Sequence, residues 1–302
     1  MSTSSASYTF PADFLWGIVP REDILSDKEN YSYLFSLQEN RIGAIRISIS
    51  WAKCEPLKGN FDEIYIESIR SLLSRIRERH IAPLVILNTE EAPGWKNLDH
   101  PEKEDFSDEY KFSVHLIEAL IPYTNHIGMM CPKGSLLDRN RLERKLSVLQ
   151  EITAYIRKLS GTARSGLILT SVFSGSGSLL DQFRYRFLKK LETDFVGIST
   201  EDTSLMQLRS IFGDTRKAVM FLSDGLNNAE PADKTELLAD KLHGAWQFYQ
   251  EGWPIMGFFS NIEIEPEEGA FKLYTNACRN NAFRISTDMP YLPEKWLRFL
   301  KD

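Results

Sequence analysis

The chain has only three cysteines in 302 residues, Cys54, Cys131 and Cys278, and no C-x-x-C pair. So sparse and odd a set argues against a disulfide framework. It suits reduced thiols, and a cytoplasmic location is the expectation. Histidine is scarce as well. None of the five stands in an H-E-x-x-H or comparable spacing, so no metal site is expected. Basic residues are outnumbered: 36 Lys and Arg against 42 Asp and Glu leave a net charge of −6, which argues against a nucleic-acid partner. No stretch approaches the roughly 18 apolar residues of a membrane span. Neither glycine-rich phosphate signature, G-x-G-x-x-G nor G-x-x-x-x-G-K-[ST], is present. Ser174-Gly175-Ser176-Gly177-Ser178 lacks a lysine and reads as a loop, so no cofactor is expected. The Ser-rich start, Met1 to Tyr8, has no basic or apolar stretch and reads as a flexible tail rather than a signal peptide. That leaves residues 1–9 as a tail and 10–302 as one domain.

What is present is a regular alternation. Hydrophobic content of 42%, with 12% aromatics, is ample for a packed core. Eight short apolar runs predict strands at 14–19, 44–49, 83–87, 119–123, 167–172, 195–198, 218–222 and 255–259; the fourth carries Pro122 inside it. Between them, apolar residues recur at helical spacing: Tyr65, Ile69, Leu72, Leu73 and Ile76; Leu142, Leu146, Leu149 and Ile156; Leu238, Leu242, Ala245, Trp246 and Tyr249. Each such face must cover a sheet. Eight right-handed units close into a (β/α)8 TIM barrel, which needs about 250 residues. A doubly wound open sheet produces the same alternation.

Several segments, in order, choose between these. Phe10-Pro11-Ala12-Asp13-Phe14-Leu15-Trp16-Gly17 resembles the F-P-x-x-F-L-W-G opening of glycoside hydrolase family 1, the β-glucosidases. The run from Gly43 to Trp51 (GAIRISISW) is similar to that family's second strand. His80 to Leu87 is similar to its third, with Pro93 following. Asp194-Phe195-Val196-Gly197-Ile198 resembles the sixth strand, and Gly252 to Phe259 the eighth. The resemblance implies a single (β/α)8 barrel with shortened loops.

Departures concentrate where a barrel does its chemistry, at the C-terminal strand ends. In the family's I-T-E-N-G strand the Glu is the nucleophile. The matching run, Phe221-Leu222-Ser223-Asp224-Gly225, has Ser223 there. The nearest string to the acid/base motif T-x-N-E-P is Thr124-Asn125-His126-Ile127, which puts His126 near that role. Thr89 replaces a sugar-binding His, and the sugar-gripping segment becomes Asn261 to Glu268 without its tryptophans. Retaining hydrolysis needs two carboxyl groups about 5–5.5 Å apart, so the resemblance implies a catalytically silent member. Its expected role is carbohydrate binding, with Arg46, Trp51, Thr89, Trp95, Asn125 and Glu268 as candidate contacts. For Trp51 and Trp95 the favoured reading is core packing. Two other readings stay open: hydrolysis by displaced acids among Glu90, Glu91, Glu201, Asp224 and Glu265, and a purely structural or interaction barrel.

Overall fold

A computed structural model describes residues 5–11, 13–20, 30–89, 91–96, 106–130, 139–160, 164–169, 193–199, 218–223, 231–261 and 269–286. Eight parallel strands close a barrel in chain order: β2 (Leu15–Ile18), β3 (Ala44–Ser50), β4 (Ala82–Asn88), β5 (His126–Met130), β6 (Arg164–Leu169), β7 (Phe195–Ser199), β8 (Ala218–Ser223) and β9 (Ile255–Ser260). The last pairs back onto the first, Leu15 opposite Gly257. The described helices are α1 (Asn30–Glu39), α2 (Trp51–Cys54), α3 (Glu63–Glu78), α4 (Ser107–Leu120), α5 (Arg139–Ser160), α6 (Pro231–Gln250) and α7 (Gly269–Asn280).

The strands read as unbroken apolar runs because both of their faces are buried. Alternate residues such as Ala44, Leu84, Ile86, Phe195, Met220, Leu222 and Phe259 fill the barrel interior. Their neighbours, among them Ile45, Ile47, Val85, Leu87, Val219 and Phe221, meet the helices. On α3 the buried stripe is Ile66, Ile69, Leu72, Leu73 and Ile76, and Asp62 caps the helix by accepting from the Tyr65 N–H at 2.9 Å. Gly17 of the opening motif is glycine because the Phe259 ring occupies the space a Cβ would need. The two ends of the chain thus specify each other.

Helices return to strands at the N-terminal face of the barrel through tight left-handed turns. After α6, Gly252 (φ 83°) donates to Tyr249 O at 2.9 Å and Trp253 donates to Phe248 O at 3.1 Å. That pair of bonds is a Schellman motif, and Trp253 packs edge-on against Phe248 as the motif favours. After α3 the same position is held by His80 (φ 58°), and after α1 by Arg41 (φ 56°).

Two expectations are corrected. The fourth barrel strand is His126–Met130, not 119–123. Leu116, Ile117 and Leu120 form the buried stripe of α4, and Pro122 lies in a 3-10 turn, Ile121–Tyr123. An apolar run at the end of a helix had the same composition as a strand. The other concerns residues 5–9, expected to belong to a flexible tail. Residues Ser5–Thr9 form β1, antiparallel to β10 (Ala282–Ser286), a partner too distant in sequence to be seen locally. Tyr8 anchors this pair by packing on His243 and Trp246 of α6.

Candidate functional site

Toward the C-terminal end of the barrel, β3 carries polar side chains. Arg46, Ser48 and Ser50 continue the interior series that begins with Ala44 on β3. Ser48 is solvent-exposed and Arg46 is half-buried. On β4 the same series ends at Asn88, whose amide donates to Glu91 Oε1 at 2.8 Å and so fixes one carboxylate at the rim. Met130 contributes a half-buried wall from β5. Among the described residues, this end of the barrel carries the Arg46 guanidinium, the Ser48 hydroxyl, the Asn88 amide and the exposed Glu91 carboxylate.

Beside this mouth, tight polar clusters are structural. Trp51 is 2% exposed, stacks on Phe112 and donates its Nε1–H to Glu55 Oε2 at 2.7 Å. The other oxygen of Glu55 accepts from the Gly59 N–H at 2.7 Å, which locks the loop after α2. Trp51 is therefore a core residue and has no face for a sugar. Trp95 is half-buried, donates to Glu55 O at 2.9 Å and carries Lys58 Nζ 5.6 Å from its ring. Thr89 is buried and donates to Glu109 Oε1 at 2.6 Å, and Lys145 Nζ lies 3.6 Å from the same oxygen. This cluster ties β4 to α4 and α5, so the Thr89 hydroxyl is committed away from the mouth. Cys54 offers no nucleophile: burial, with Asp62 and Glu55 nearby, pushes its thiol up to about 12.

His126 and Asn125 stand at the opposite end. As first residue of β5, His126 is at the N-terminal face, where its ring approaches Phe195 at 6.4 Å. It is in no position to act as acid/base at the C-terminal mouth. With the strand correctly placed, what leaves the C-terminal end of β5 is Cys131-Pro132-Lys133-Gly134-Ser135-Leu136-Leu137, with no carboxylate before Asp138. Ser223 is the last residue of β8, pairing with Ser260. Asp224, Glu90, Glu201, Glu265 and Glu268 lie outside the described residues, and Glu91 is the displaced-acid candidate within them. Among the described residues no group of three or more His, Cys, Asp or Glu could hold a metal ion. No described helix is long and apolar enough to cross a membrane.

One feature was not legible from the sequence. A cup of about 580 Å³ opens at the N-terminal face, and its lining includes Asp13, Asn125, His126, Tyr249 and Trp253. These residues come from three distant segments. The only local signal was Gly252, which turns the chain so that Trp253 lies at the strand start.

No protein-family model matches the chain. No curated protein matches it by sequence. Solved structures do match in shape. The family 1 β-glucosidase from Thermotoga maritima superposes with a TM-score of 0.67 at 12% identity, over 91% of this chain and 99% of that one. The β-glycosidase from Pyrococcus horikoshii gives 0.65 at 12%, over 96% and 100%. The β-glycosidase BGL167 gives 0.63 at 14%, over 83% and 87%. Identity this low speaks to architecture alone: the chain has a (β/α)8 barrel, the architecture of these structures.

Proposed function

We propose that this barrel binds carbohydrate at its C-terminal mouth and does not carry out retaining glycoside hydrolysis. The observation that carries the proposal is the register of β5. A retaining mechanism needs a proton-donating carboxyl opposite the nucleophile, about 5–5.5 Å from it. The sequence after β5 has no carboxylate before Asp138, and Ser223 stands where the resemblance implies the second. A serine hydroxyl brings no charge to an oxocarbenium-like transition state. Loss of general acid catalysis alone removes roughly 10²–10⁴-fold in rate. Arg46 and Ser48, on the interior face of β3, support a binding role: a guanidinium and a hydroxyl are groups that hydrogen-bond sugar hydroxyls. Cys54 and Cys278 are free and buried, which fits a cytoplasmic protein.

Calorimetric titration with a panel of glucosides and galactosides tests the binding, and release of nitrophenol from aryl β-glycosides tests the silence. Heat that Arg46→Ala abolishes, with no release above background, is the expected pair of results. Release that Asp224→Asn removes would establish the displaced-acid enzyme instead. No heat at millimolar ligand would leave a structural barrel.

A further inference from the structure

In (β/α)8 barrels the N-terminal face is ordinarily the stability face. Here it is hollow. The cup is lined by the first residues of four strands, Leu15 of β2, His126 of β5, Ala218 of β8 and Ile255 of β9. In the closed order of eight strands, β5 and β9 stand four apart, directly opposite. The cup therefore spans the mouth rather than lying in a crevice between helices. Ala218, the first residue of β8, takes up little of its floor. The cup's volume, about 580 Å³, falls within the roughly 300–1,000 Å³ of small-molecule sites.

The walls are built, not incidental. The Schellman turn at Gly252 sets Trp253, which is braced by Phe248 with ring centroids 4.6 Å apart. Tyr249 stands on the last turn of the same helix. Across the mouth, Thr124 Oγ1 donates to Pro83 O at 2.7 Å and accepts from the His126 N–H at 3.2 Å, which holds the Asn125-His126 corner. On the third side, Asn281 donates to Phe10 O at 3.0 Å and Pro11 O at 2.8 Å, fixing the turn that carries Asp13.

We propose that this N-terminal cup is a second ligand site, distinct from the C-terminal mouth, for a neutral polyhydroxylated ring of single-sugar size. A carboxylate, an amide, an imidazole, a phenol and an indole surround an apolar floor of Leu15, Ala218 and Met256. Hydroxyl groups both donate and accept, so they match this mixed set, and among the described residues no lysine or arginine lines the cup to draw an anion. The half-buried faces of Trp253 and Tyr249 suit the C–H face of a pyranose.

Fluorine NMR of protein carrying 5-fluorotryptophan, with the Trp253 signal assigned by Trp253→Phe, separates this site from the other end, where Trp51 and Trp95 report. Methyl glycosides and inositol are titrated beside choline and adenosine as charged and aromatic probes. The expected result is a saturable shift of the Trp253 signal with the neutral polyols. It persists in Arg46→Ala, so that failure of the C-terminal site does not affect it. Asn125→Trp, at an exposed position, should fill the cup and abolish the shift. If that variant does not fold, Asp13→Ala, also exposed, should weaken binding at least about tenfold. A Trp253 signal that ignores every polyol, that follows choline or adenosine instead, or that shifts equally in a folded Asn125→Trp or in Asp13→Ala overturns the proposal.

Discussion

Two residues with nearly the same backbone conformation should respond oppositely to the same substitution. His80 (φ 58°) and Asn281 (φ 49°) both end helices in the left-handed region. For an L-residue with a Cβ that conformation costs about 1–2 kcal/mol, which glycine avoids. Glycine returns about 0.4–1 kcal/mol of this through its freer unfolded chain. His80 is exposed, and the bonds that close its turn, its own N–H to Arg77 O at 2.9 Å and Ile81 N–H to Ile76 O at 3.2 Å, are all backbone. His80→Gly should therefore stabilise by about 0.5–1 kcal/mol, raising Tm by about 1–3 °C in a chain of this size. Asn281 differs because its side chain does work that glycine cannot. It accepts from Trp16 Nε1 at 2.9 Å and donates to Phe10 O and Pro11 O. At about 0.5–1.5 kcal/mol for each bond, the loss exceeds the relief, so Asn281→Gly should destabilise by about 1–3 kcal/mol. Urea unfolding followed by tryptophan fluorescence, with a thermal scan beside it, reads both changes. If the two variants shift stability in the same direction, backbone strain and side-chain bonding have been wrongly apportioned.

Other outcomes follow from the buried groups. Glu109→Gln leaves Lys145 in a buried site without its carboxylate and should cost about 3–5 kcal/mol, measured by urea unfolding; Lys145→Met in the same chain should recover part of it. A Cβ at Gly257 would lie 2.6 Å from Leu15 O, a backbone atom that yields little, so Gly257→Ala should destabilise by about 1–3 kcal/mol at the closing seam of the barrel, read by thermal scan. Burial raises Cys54 from 9.0, and Tyr65 from 10.0, each to about 12. The folded state holds these protons more tightly, so the stability they contribute is complete below pH 9 and declines from there towards pH 12. Cys54→Ala should flatten that decline in urea titrations at stepped pH. In the native protein Cys54 should resist a thiol reagent at pH 8 and react on unfolding.

The barrel was legible because its cause is repetitive and local. An apolar run buried on both faces marks a strand, and a stripe at 3.6-residue spacing marks a helix. Ala44, Leu84 and Met220 declare their burial by type alone. Local pattern failed at residues 119–123, where helix end and strand look alike, and at Ser5–Thr9, whose partner lies near residue 284. His126 shows the consequence for function: a shift of a few residues in the fourth strand carried it from one mouth of the barrel to the other. Trp51 and Thr89 stand at the right strand ends, yet only their partners, Glu55 and Glu109, reveal that they face away from the mouth.

Sequence alone therefore determined the alternation and the count of eight, since composition and spacing are properties of the chain. Tertiary structure decided which end of the barrel each polar group serves, and that the N-terminal face is hollow. Both depend on the register between strands that are opposite in space and more than a hundred residues apart, and no stretch of sequence read by itself encodes that distance.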